Sequence, residues 1–294
     1  MTGFALRTAY PSIQMQCGLS GSLALLIAML LSSCAQTPPA PPAAVTPFSE
    51  ARPGGVYPAG WHTLAFSKFR KETRYTLVDD CGSTVVDARA DDSSSGLIEL
   101  VDIDPRQYPW LTWRWKVVLA IPVVDNTRRE ADDAPARIDV SFDGDSKKLT
   151  IADRLWAAQV KALTGVDLPY ATLEYVWGDG APAETVIENT WTSRIRMILV
   201  ERGAKRLGEW VTETRNVYED YQRAFGEAPG RITAIGIITD TDATGTKAEA
   251  FYGDIAFLPA KPGKAQGGQV AAASGGRASA GDPSQRPDCP AHGK

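Results

Sequence analysis

The chain has 294 residues, of which 44% are hydrophobic, and its formal net charge is -4. This length is sufficient for one substantial folded core, and the small negative charge argues against a nucleic-acid partner, which requires a basic surface. The chain has only two histidines, His62 and His292. A zinc site with several histidines is therefore excluded, and a histidine-dependent catalytic triad would depend on His62 alone.

The N-terminal region has the features of an export signal. Residues 23–31, LALLIAMLL, form an apolar run that is too short to span a bilayer and has the length of a signal-peptide core. Ser32, Ser33 and Cys34 follow, and this pattern resembles the lipobox of bacterial lipoproteins. The resemblance implies that residues 1–33 are a signal peptide and that Cys34 carries a lipid that anchors the protein in a membrane. Ala35 after the cysteine resembles the pattern of lipoproteins sent to the outer membrane, so we expect the protein on its periplasmic face.

Two low-complexity segments flank a single predicted domain. Residues 34–47 are rich in proline and alanine, which predicts an extended tether. Residues 262–294 contain almost no large apolar side chain, which predicts a disordered tail. The folded domain is therefore predicted at residues 48–261. Cys81 and Cys289 could pair in an oxidising compartment, although no spacing supports that pairing.

Most of the domain consists of short segments rich in β-branched and aromatic residues, which predict strands. In chain order these are residues 74–80, 83–90, 95–103, 110–117, 137–142, 173–178, 194–201, 231–240 and 249–257. Between the first two, Cys81 and Gly82 predict a hairpin turn. Apolar residues at helical spacing predict helices at residues 152–163 and 216–226, the second of which ends at Gly226. Many short strands with only two short helices predict a mainly β fold, an antiparallel jelly-roll-like β-sandwich.

The fourth predicted strand, WLTWRWKV, has one apolar and one mixed face because strand side chains alternate. Trp113 and Trp115 lie on the apolar face, so we predict that they belong to the core. The mixed face directs Arg114 and Lys116 towards solvent, a groove or acidic partners. A further pair of aromatic residues lies near strand ends and could either stack on sugar rings or cap the core, namely Trp110 and Trp177.

Successive blocks of the domain resemble an uncharacterised bacterial family, domain of unknown function 3047. The blocks are WLTWRWKV, DDAPARIDVSFDG, LEYVWG, RNVYEDYQRAFGEAP and IGIITDTDATGTKAEAFYGDIAF. They occur in the expected order over residues 62–257. The resemblance implies a secreted or envelope-located bacterial domain without an established activity. In addition, EAFYGDIAF is similar to the last strand of many jelly-roll carbohydrate-binding modules, which often hold a structural calcium ion.

Three aspartates are candidate ligands for such a calcium ion. Asp240 and Asp242 lie where a predicted strand enters a turn, and Asp254 lies on the next strand, so a hairpin could bring the three together. Calcium prefers several such hard oxygen ligands. The alternative is turn chemistry, in which the aspartates accept hydrogen bonds from the local backbone and Gly245 supplies a positive φ.

A second group of charged residues precedes and begins the RIDVSF strand. Asp132 and Asp133 could form salt bridges with Arg137, Arg114 or Lys116, each contributing about 0–1 kcal/mol, or could line a polar ligand cleft with them. For a glycosidase mechanism, Asp132 with Glu174 or Asp254 could supply the two carboxylates.

These observations favour a lipid-anchored cell-envelope protein with a non-enzymatic binding domain for a saccharide. One alternative is a carboxylate-dependent hydrolase that acts on envelope polysaccharide. The other is a structural or assembly lipoprotein with an envelope protein as its partner.

Overall fold

The computed structural model describes residues 44–67, 69–165 and 167–262. Over these residues the chain forms twelve strands and two α-helices. The strands are β1 Trp61–Ala65, β2 Arg74–Asp80, β3 Ser83–Asp91, β4 Ser95–Ile103, β5 Trp110–Leu119, β6 Ala134–Phe142, β7 Ala171–Gly178, β8 Val186–Glu188, β9 Ile195–Arg202, β10 Val211–Asn216, β11 Ile232–Asp240 and β12 Lys247–Leu258. The helices are α1 Ile151–Thr164 and α2 Val217–Phe225. All nine predicted strands and both helices are confirmed.

The strands form two sheets, which confirms the mainly β sandwich. The larger sheet has seven strands in the order β1-β4-β11-β6-β7-β9-β8, and the smaller has five in the order β10-β5-β12-β3-β2. The seven-stranded sheet is mixed rather than purely antiparallel, because β7 and β9 pair in parallel. After β7 the chain forms the edge strand β8. It then forms β9, which lies between β7 and β8 and pairs with both.

The inward faces of both sheets supply one aromatic core. Trp113 and Trp115 of β5 are 1% and 0% exposed, which confirms their predicted place in the core. Across the sandwich, the ring of Trp113 lies 5.1 Å from that of Tyr175, and Trp115 lies 5.9 Å from Trp177. Offset and edge-on ring contacts of this kind stabilise a core beyond the area that they bury.

The predicted turn and helix ends are also present. Cys81 and Gly82 have φ values of 58° and 77° and join β2 to β3 as a two-residue hairpin. Cys81 is disulfide-bonded, and its predicted partner Cys289 lies outside the described residues. Helix α2 starts at the cap residue Asn216 and ends at Gly226, which has a φ of 71°.

The folded domain begins slightly earlier than predicted. Val45 is 5% exposed, and Thr46 donates from its backbone N–H and its hydroxyl to Glu99 of β4. The last residues of the predicted tether therefore pack on the seven-stranded sheet. The predicted signal peptide, Cys34 and nearly all of the tail lie outside the described residues. Within the described ranges, no helix is both long and apolar enough to cross a membrane.

Candidate functional site

The residues predicted to bind a ligand do not form one cluster. Trp110, Arg114 and Lys116 lie on β5 of the five-stranded sheet, whereas Arg137 lies on β6 of the seven-stranded sheet. The two sheets pack face to face, so the outward sides of β5 and β6 point in opposite directions. The pairing of the predicted acidic residues with Arg114 or Lys116 is therefore wrong.

Aromatic rings cover the charged side chains on the outward face of β5. The ammonium group of Lys116 donates to Asp80 (3.2 Å) and lies 4.6 Å from the ring centre of Phe251. The guanidinium group of Arg114 lies 4.6 Å from the ring centre of Trp210, and the indole N–H of Trp210 donates to Asp80. Lys116 is 7% exposed. These contacts link β5 to Asp80 at the end of β2 and to Trp210 just before β10, and they leave Lys116 little surface for a ligand.

The two predicted stacking residues differ in their surroundings. Trp177 is 1% exposed, and its indole N–H donates to the carbonyl of Gly203. It is a core residue because it lies on the inward face of β7, opposite Trp115, and it cannot stack on a sugar. Trp110 is partly exposed, with the ammonium group of Lys261 5.1 Å from its ring centre.

The outward face of the seven-stranded sheet holds a charged cluster centred on Arg137. The guanidinium group donates to Glu174 (2.8 Å), Asp240 (3.2 Å) and Asp132 (3.2 Å). Arg137 is 5% exposed, so these are buried ion pairs whose partners depend on one another. The predicted pairing of Asp132 with Arg137 is confirmed, and Glu174 joins them from the neighbouring strand β7.

Asp133, Asp240 and Asp242 form an acidic group at the turn between β11 and β12. Carboxylate oxygens of the three residues lie within 4.8 Å of one another. Asp133 accepts from the backbone N–H groups of Ala243 (3.0 Å) and Thr244 (2.7 Å), so it also organises the turn, as the turn-chemistry alternative proposes. Burial raises the pKa of Asp240 to about 7, although Arg137 acts to lower it.

Asp254 is not part of this group, contrary to the prediction. It accepts from the backbone N–H of Ser49 (2.9 Å) and from the Ser49 hydroxyl. The chain passes from one sheet to the other between β11 and β12, so these strands do not form a hairpin. Asp254 lies seven residues along β12 from Lys247, which is a distance of about 23 Å from the turn.

Calcium binding stays a prediction. Its candidate ligands are now Asp133, Asp240 and Asp242, because Asp254 lies elsewhere. Arg137 and Arg70, whose guanidinium group lies 3.4 Å from Asp242, already offset part of the negative charge, so we expect a dissociation constant near the weak end, about 1 mM. About 10 mM calcium should then stabilise the domain by about 1.4 kcal/mol, measured as a rise in the melting temperature. The rise should disappear in Asp242→Asn and persist in Asp254→Ala. An unchanged melting temperature in the parent protein would exclude calcium here.

Asp139 is the functional candidate that the sequence prediction missed. It lies on the outward face of β6, directly opposite Glu174 of β7 and Gly236 of β11. Residues opposite each other in an antiparallel pair have β-carbons about 4.5–5.5 Å apart. The Oδ1 atom of Asp139 is buried and has no hydrogen-bond partner among the residues that the structure describes.

The two facing carboxyls have perturbed proton affinities. Burial, followed by the charge of Glu174, raises the pKa of Asp139 well above its ordinary value, although Arg137 acts in the opposite direction. Burial likewise raises the pKa of Glu174, again opposed by Arg137. A carboxyl of this kind can donate a hydrogen bond, accept one, or exchange a proton with a bound molecule.

The sheet surface around Asp139 is open on the side away from Arg137. Leu100 of β4 is 69% exposed, and Ile98, Ala234 and Ser141 are partly exposed. Gly236 has no side chain to cover Asp139. A larger residue would not fit there, because its β-carbon would lie 3.0 Å from the side chain of Ile98. A ligand lying across the sheet can therefore reach Asp139.

An aromatic pair lies beside the other end of this face. The ring of Trp191 stacks on Trp156 of α1 at 5.0 Å, and the guanidinium group of Arg129 lies 3.0 Å from the centre of the Trp191 ring. Trp156 lines a small pocket with Thr172, which is two residues from Glu174 along β7. Trp191 thus contacts both Trp156 and Arg129, and it stays 48% exposed.

Solved structures that align with this chain share little sequence identity with it. A search of curated proteins found no match to this sequence. Among solved structures, the carbohydrate recognition domain of Emp47p aligns with a TM-score of 0.38 and 10% identity over 74% of this chain and 94% of that domain. The K2 cleaved adhesin domain of Lys-gingipain aligns with a TM-score of 0.35 and 11% identity over 73% of this chain and 99% of that one. An exo-beta-agarase aligns with a TM-score of 0.31 and 12% identity over 75% of this chain and 26% of the agarase. Similarities this low establish no shared activity.

The family resemblance predicted from the sequence blocks is confirmed. The family described as "Protein of unknown function (DUF3047)" matches residues 59–256. The match includes Arg137, the facing carboxyls Asp139 and Glu174, and the three aspartates of the β11–β12 turn. The chain belongs to this family of proteins of unknown function.

Proposed function

We propose that the domain is a non-enzymatic saccharide-binding module, and that the saccharide lies across the outward face of the seven-stranded sheet at Asp139 and Glu174. The observation that carries this proposal is the buried Oδ1 atom of Asp139, directly opposite Glu174, which has no hydrogen-bond partner in the described part of the chain. A buried polar atom without a partner costs about 1–3 kcal/mol, and more when it is charged. The Asp139 side chain is partly exposed, so a ligand that displaces the neighbouring side chains from Oδ1 and donates to it recovers that free energy on binding.

The charge of the surrounding face suggests which saccharides bind. Six carboxyl groups lie around Asp139 and the adjacent turn, and in the described part of the chain two guanidinium groups pair with them. The carboxyls are Asp132, Asp133, Asp139, Glu174, Asp240 and Asp242, and the guanidinium groups are those of Arg70 and Arg137. Hydroxyl groups can donate to these carboxyls, and an ammonium group both donates and offsets the negative charge. We therefore expect a saccharide with free amino groups to bind more tightly than its N-acetylated counterpart.

Calorimetric titration of the full chain with two matched oligosaccharides tests this proposal. A glucosamine hexasaccharide should bind at least about tenfold more tightly than the N-acetylglucosamine hexasaccharide, a difference of about 1.4 kcal/mol. The Asp139→Asn variant should lose this preference. Asp91→Asn is the matched control, because Asp91 is an exposed carboxylate on the five-stranded sheet, and it should bind like the parent. Absence of binding by both sugars, or an Asp139→Asn variant that keeps the parent's preference for the glucosamine hexasaccharide, would refute the proposed site.

A second candidate function, hydrolysis, is favoured by the same facing carboxyls. Their β-carbons are expected about 4.5–5.5 Å apart, which would allow the two carboxyls to adopt the separation of about 5–5.5 Å between acid and nucleophile in retaining glycosidases. A raised pKa would keep one of them protonated as the acid. If the domain is a hydrolase, the parent protein should release reducing ends from the oligosaccharide that it binds, and Glu174→Gln should abolish that release even at oligosaccharide concentrations that saturate the variant. Binding without release would leave the non-enzymatic module as the function.

We also propose that the protein is anchored by a lipid on Cys34 at the periplasmic face of the outer membrane. Support comes from the apolar run at residues 23–31 and the small residues before Cys34. Replacing Cys34 with serine should move the protein out of the membrane fraction, because a lipid chain contributes about 0.8 kcal/mol per buried methylene. Mass spectrometry of the parent N-terminus should find a lipid-modified cysteine. An unmodified Cys34 would contradict the anchor.

A further inference from the structure

Helix α1 has apolar side chains on two opposite sides. The inward side holds Asp153, Trp156 and Val160, which are buried or partly buried. The outward side carries an exposed apolar stripe. Its residues are three or four positions apart, so the 3.6-residue turn places them on one side of the helix. The stripe consists of Ile151, Leu155, Ala158 and Ala162. Single exposed apolar residues are ordinary, but a continuous apolar stripe indicates a surface that another molecule covers.

The exposure of this stripe is large. Ile151 is 78% exposed and Leu155 is 66% exposed, and Leu163 on the next helical row is 54% exposed. The periodicity of the sequence predicts a helix here. In the structure, however, Leu155 and Leu163 face away from the domain.

The helix is fixed to the domain at its N-terminal end. The carboxyl of Asp153 accepts from the hydroxyl of Thr192 (2.7 Å), the backbone N–H of Ser193 (3.1 Å) and the hydroxyl of Thr150 (2.6 Å). Burial acts to raise the pKa of Asp153, but these hydrogen bonds outweigh it and lower the pKa to about 2. The apolar stripe is thus presented in a fixed direction.

The exposed charged residues of α1 and of residues 145–150 before it are four basic groups and one acidic group. The basic residues are Lys147, Lys148, Arg154 and Lys161, and the acidic one is Asp145, whose carboxyl accepts from the backbone N–H of Lys147. The one acidic residue of the helix, Asp153, is buried and saturated with hydrogen bonds. Lys148 and Lys161 have carboxylate partners at the surface, whereas the guanidinium group of Arg154 donates to the carbonyl of Lys147. An exposed apolar stripe with basic neighbours is the composition of helices that lie in the interface of an anionic bilayer.

The chain before the domain restricts what can cover this stripe. The described residues begin at Ala44, ten residues after Cys34. Ten residues span at most about 35 Å when fully extended, so a lipid on Cys34 would hold the domain within that distance of a bilayer. At such short range a weak contact is favoured by its high effective concentration.

We infer that α1 docks on the anionic bilayer that holds the anchor, with Ile151 and Leu155 inserted between the lipid headgroups. This inference rests on the lipid anchor proposed for Cys34. The basic side chains Lys147, Arg154 and Lys161 face the headgroups, and the domain is thereby oriented on the membrane rather than suspended from its tether.

Hydrogen–deuterium exchange of the full lipidated chain tests the docking of α1. The protein is reconstituted through its anchor into phosphatidylethanolamine vesicles with or without phosphatidylglycerol. Amide exchange in α1 should slow by at least about tenfold with phosphatidylglycerol, because docking suppresses local opening of the helix. The double variant Ile151→Gln, Leu155→Gln should lose this protection. Leu119→Gln, at a position 45% exposed on β5, is the matched control and should keep it.

The outcomes separate the docking from the anchor. Protein that does not float with the vesicles shows that the anchor proposal has failed. Protein that floats but exchanges equally in both kinds of vesicle, or equally in the double variant, overturns the docking of α1. Protection that depends on protein concentration and not on lipid would mean that a second copy of the chain covers the stripe, which also overturns it.

Discussion

Replacing Arg137 with methionine is expected to destabilise the domain by about 3–5 kcal/mol at neutral pH. The guanidinium group donates to Glu174, Asp240 and Asp132, and all four side chains are largely buried. Methionine preserves much of the volume but leaves three carboxyl groups without their common cation. The loss should be smaller at about pH 5, where Asp240, with its pKa of about 7, is protonated. Denaturant unfolding at the two pH values measures both effects.

Two further variants distinguish lost charge from lost packing. Arg137→Lys keeps the positive charge, but a single ammonium group cannot reproduce the planar fork of donors, so an intermediate loss is expected. Adding Glu174→Gln to Arg137→Met should recover part of the stability, because one unpaired carboxylate is removed. A double variant no more stable than Arg137→Met alone would indicate that Arg137 contributes mainly by packing.

Replacing Asp139 with asparagine is expected to stabilise the domain at neutral pH by about 2 kcal/mol. The substitution removes the cost of ionising a buried carboxyl whose Oδ1 atom has no hydrogen-bond partner among the described residues, and the new amide can donate to Glu174 across the strand pair. The parent domain should also lose stability as the pH rises from about 4 to about 7, and the variant should lose less. Thermal unfolding across this pH range measures both effects.

The direction of this pH dependence follows from raised pKa values. The carboxyls of Asp139, Glu174 and Asp240 all bind protons more tightly in the folded state than at their ordinary values of 3.8 or 4.5. Their favourable contribution is therefore complete below about pH 4 and is lost as the pH rises through the folded-state values. Arg137, the charged group that faces all three, stays protonated throughout. Asp91→Asn is the control, because the pKa of the Asp91 carboxyl is lowered in the folded state. This variant should lose stability between about pH 4 and about pH 7 as the parent does. A parent domain more stable at pH 7 than at pH 5 would contradict the assignment.

Much of the fold could be predicted because the sheets bury one face. The alternation of WLTWRWKV places Trp113 and Trp115 in the core, and that of RIDVSF does the same for Ile138 and Val140. The three strands that were not predicted, β1, β8 and β10, are all edge strands, paired on one side only. Their short or polar sequences, such as VIE in β8, give little periodic signal.

The candidate site was harder to predict because it depends on which strands pair. Alternation places Asp139 on the outward face of β6, but its neighbour Glu174 is set by the register of β6 with β7. For the same reason Asp254 was misplaced: adjacency in sequence suggested a hairpin, whereas β12 belongs to the other sheet. Arg137 could be predicted to pair with Asp132, five residues away, but not with Asp240 across the sheet.

The most direct test of the saccharide site is a carbon-13 NMR titration of the side-chain carboxyls of Asp139 and Glu174, with and without the glucosamine hexasaccharide. An ammonium group bound between them should lower their pKa values towards the ordinary range, because a nearby positive charge favours the ionised form. The pKa of the Asp91 carboxyl should not change. Lowered values for Asp139 and Glu174 would place the ligand at these two residues. Unchanged values under saturating ligand would show that the saccharide binds elsewhere, and would contradict the account.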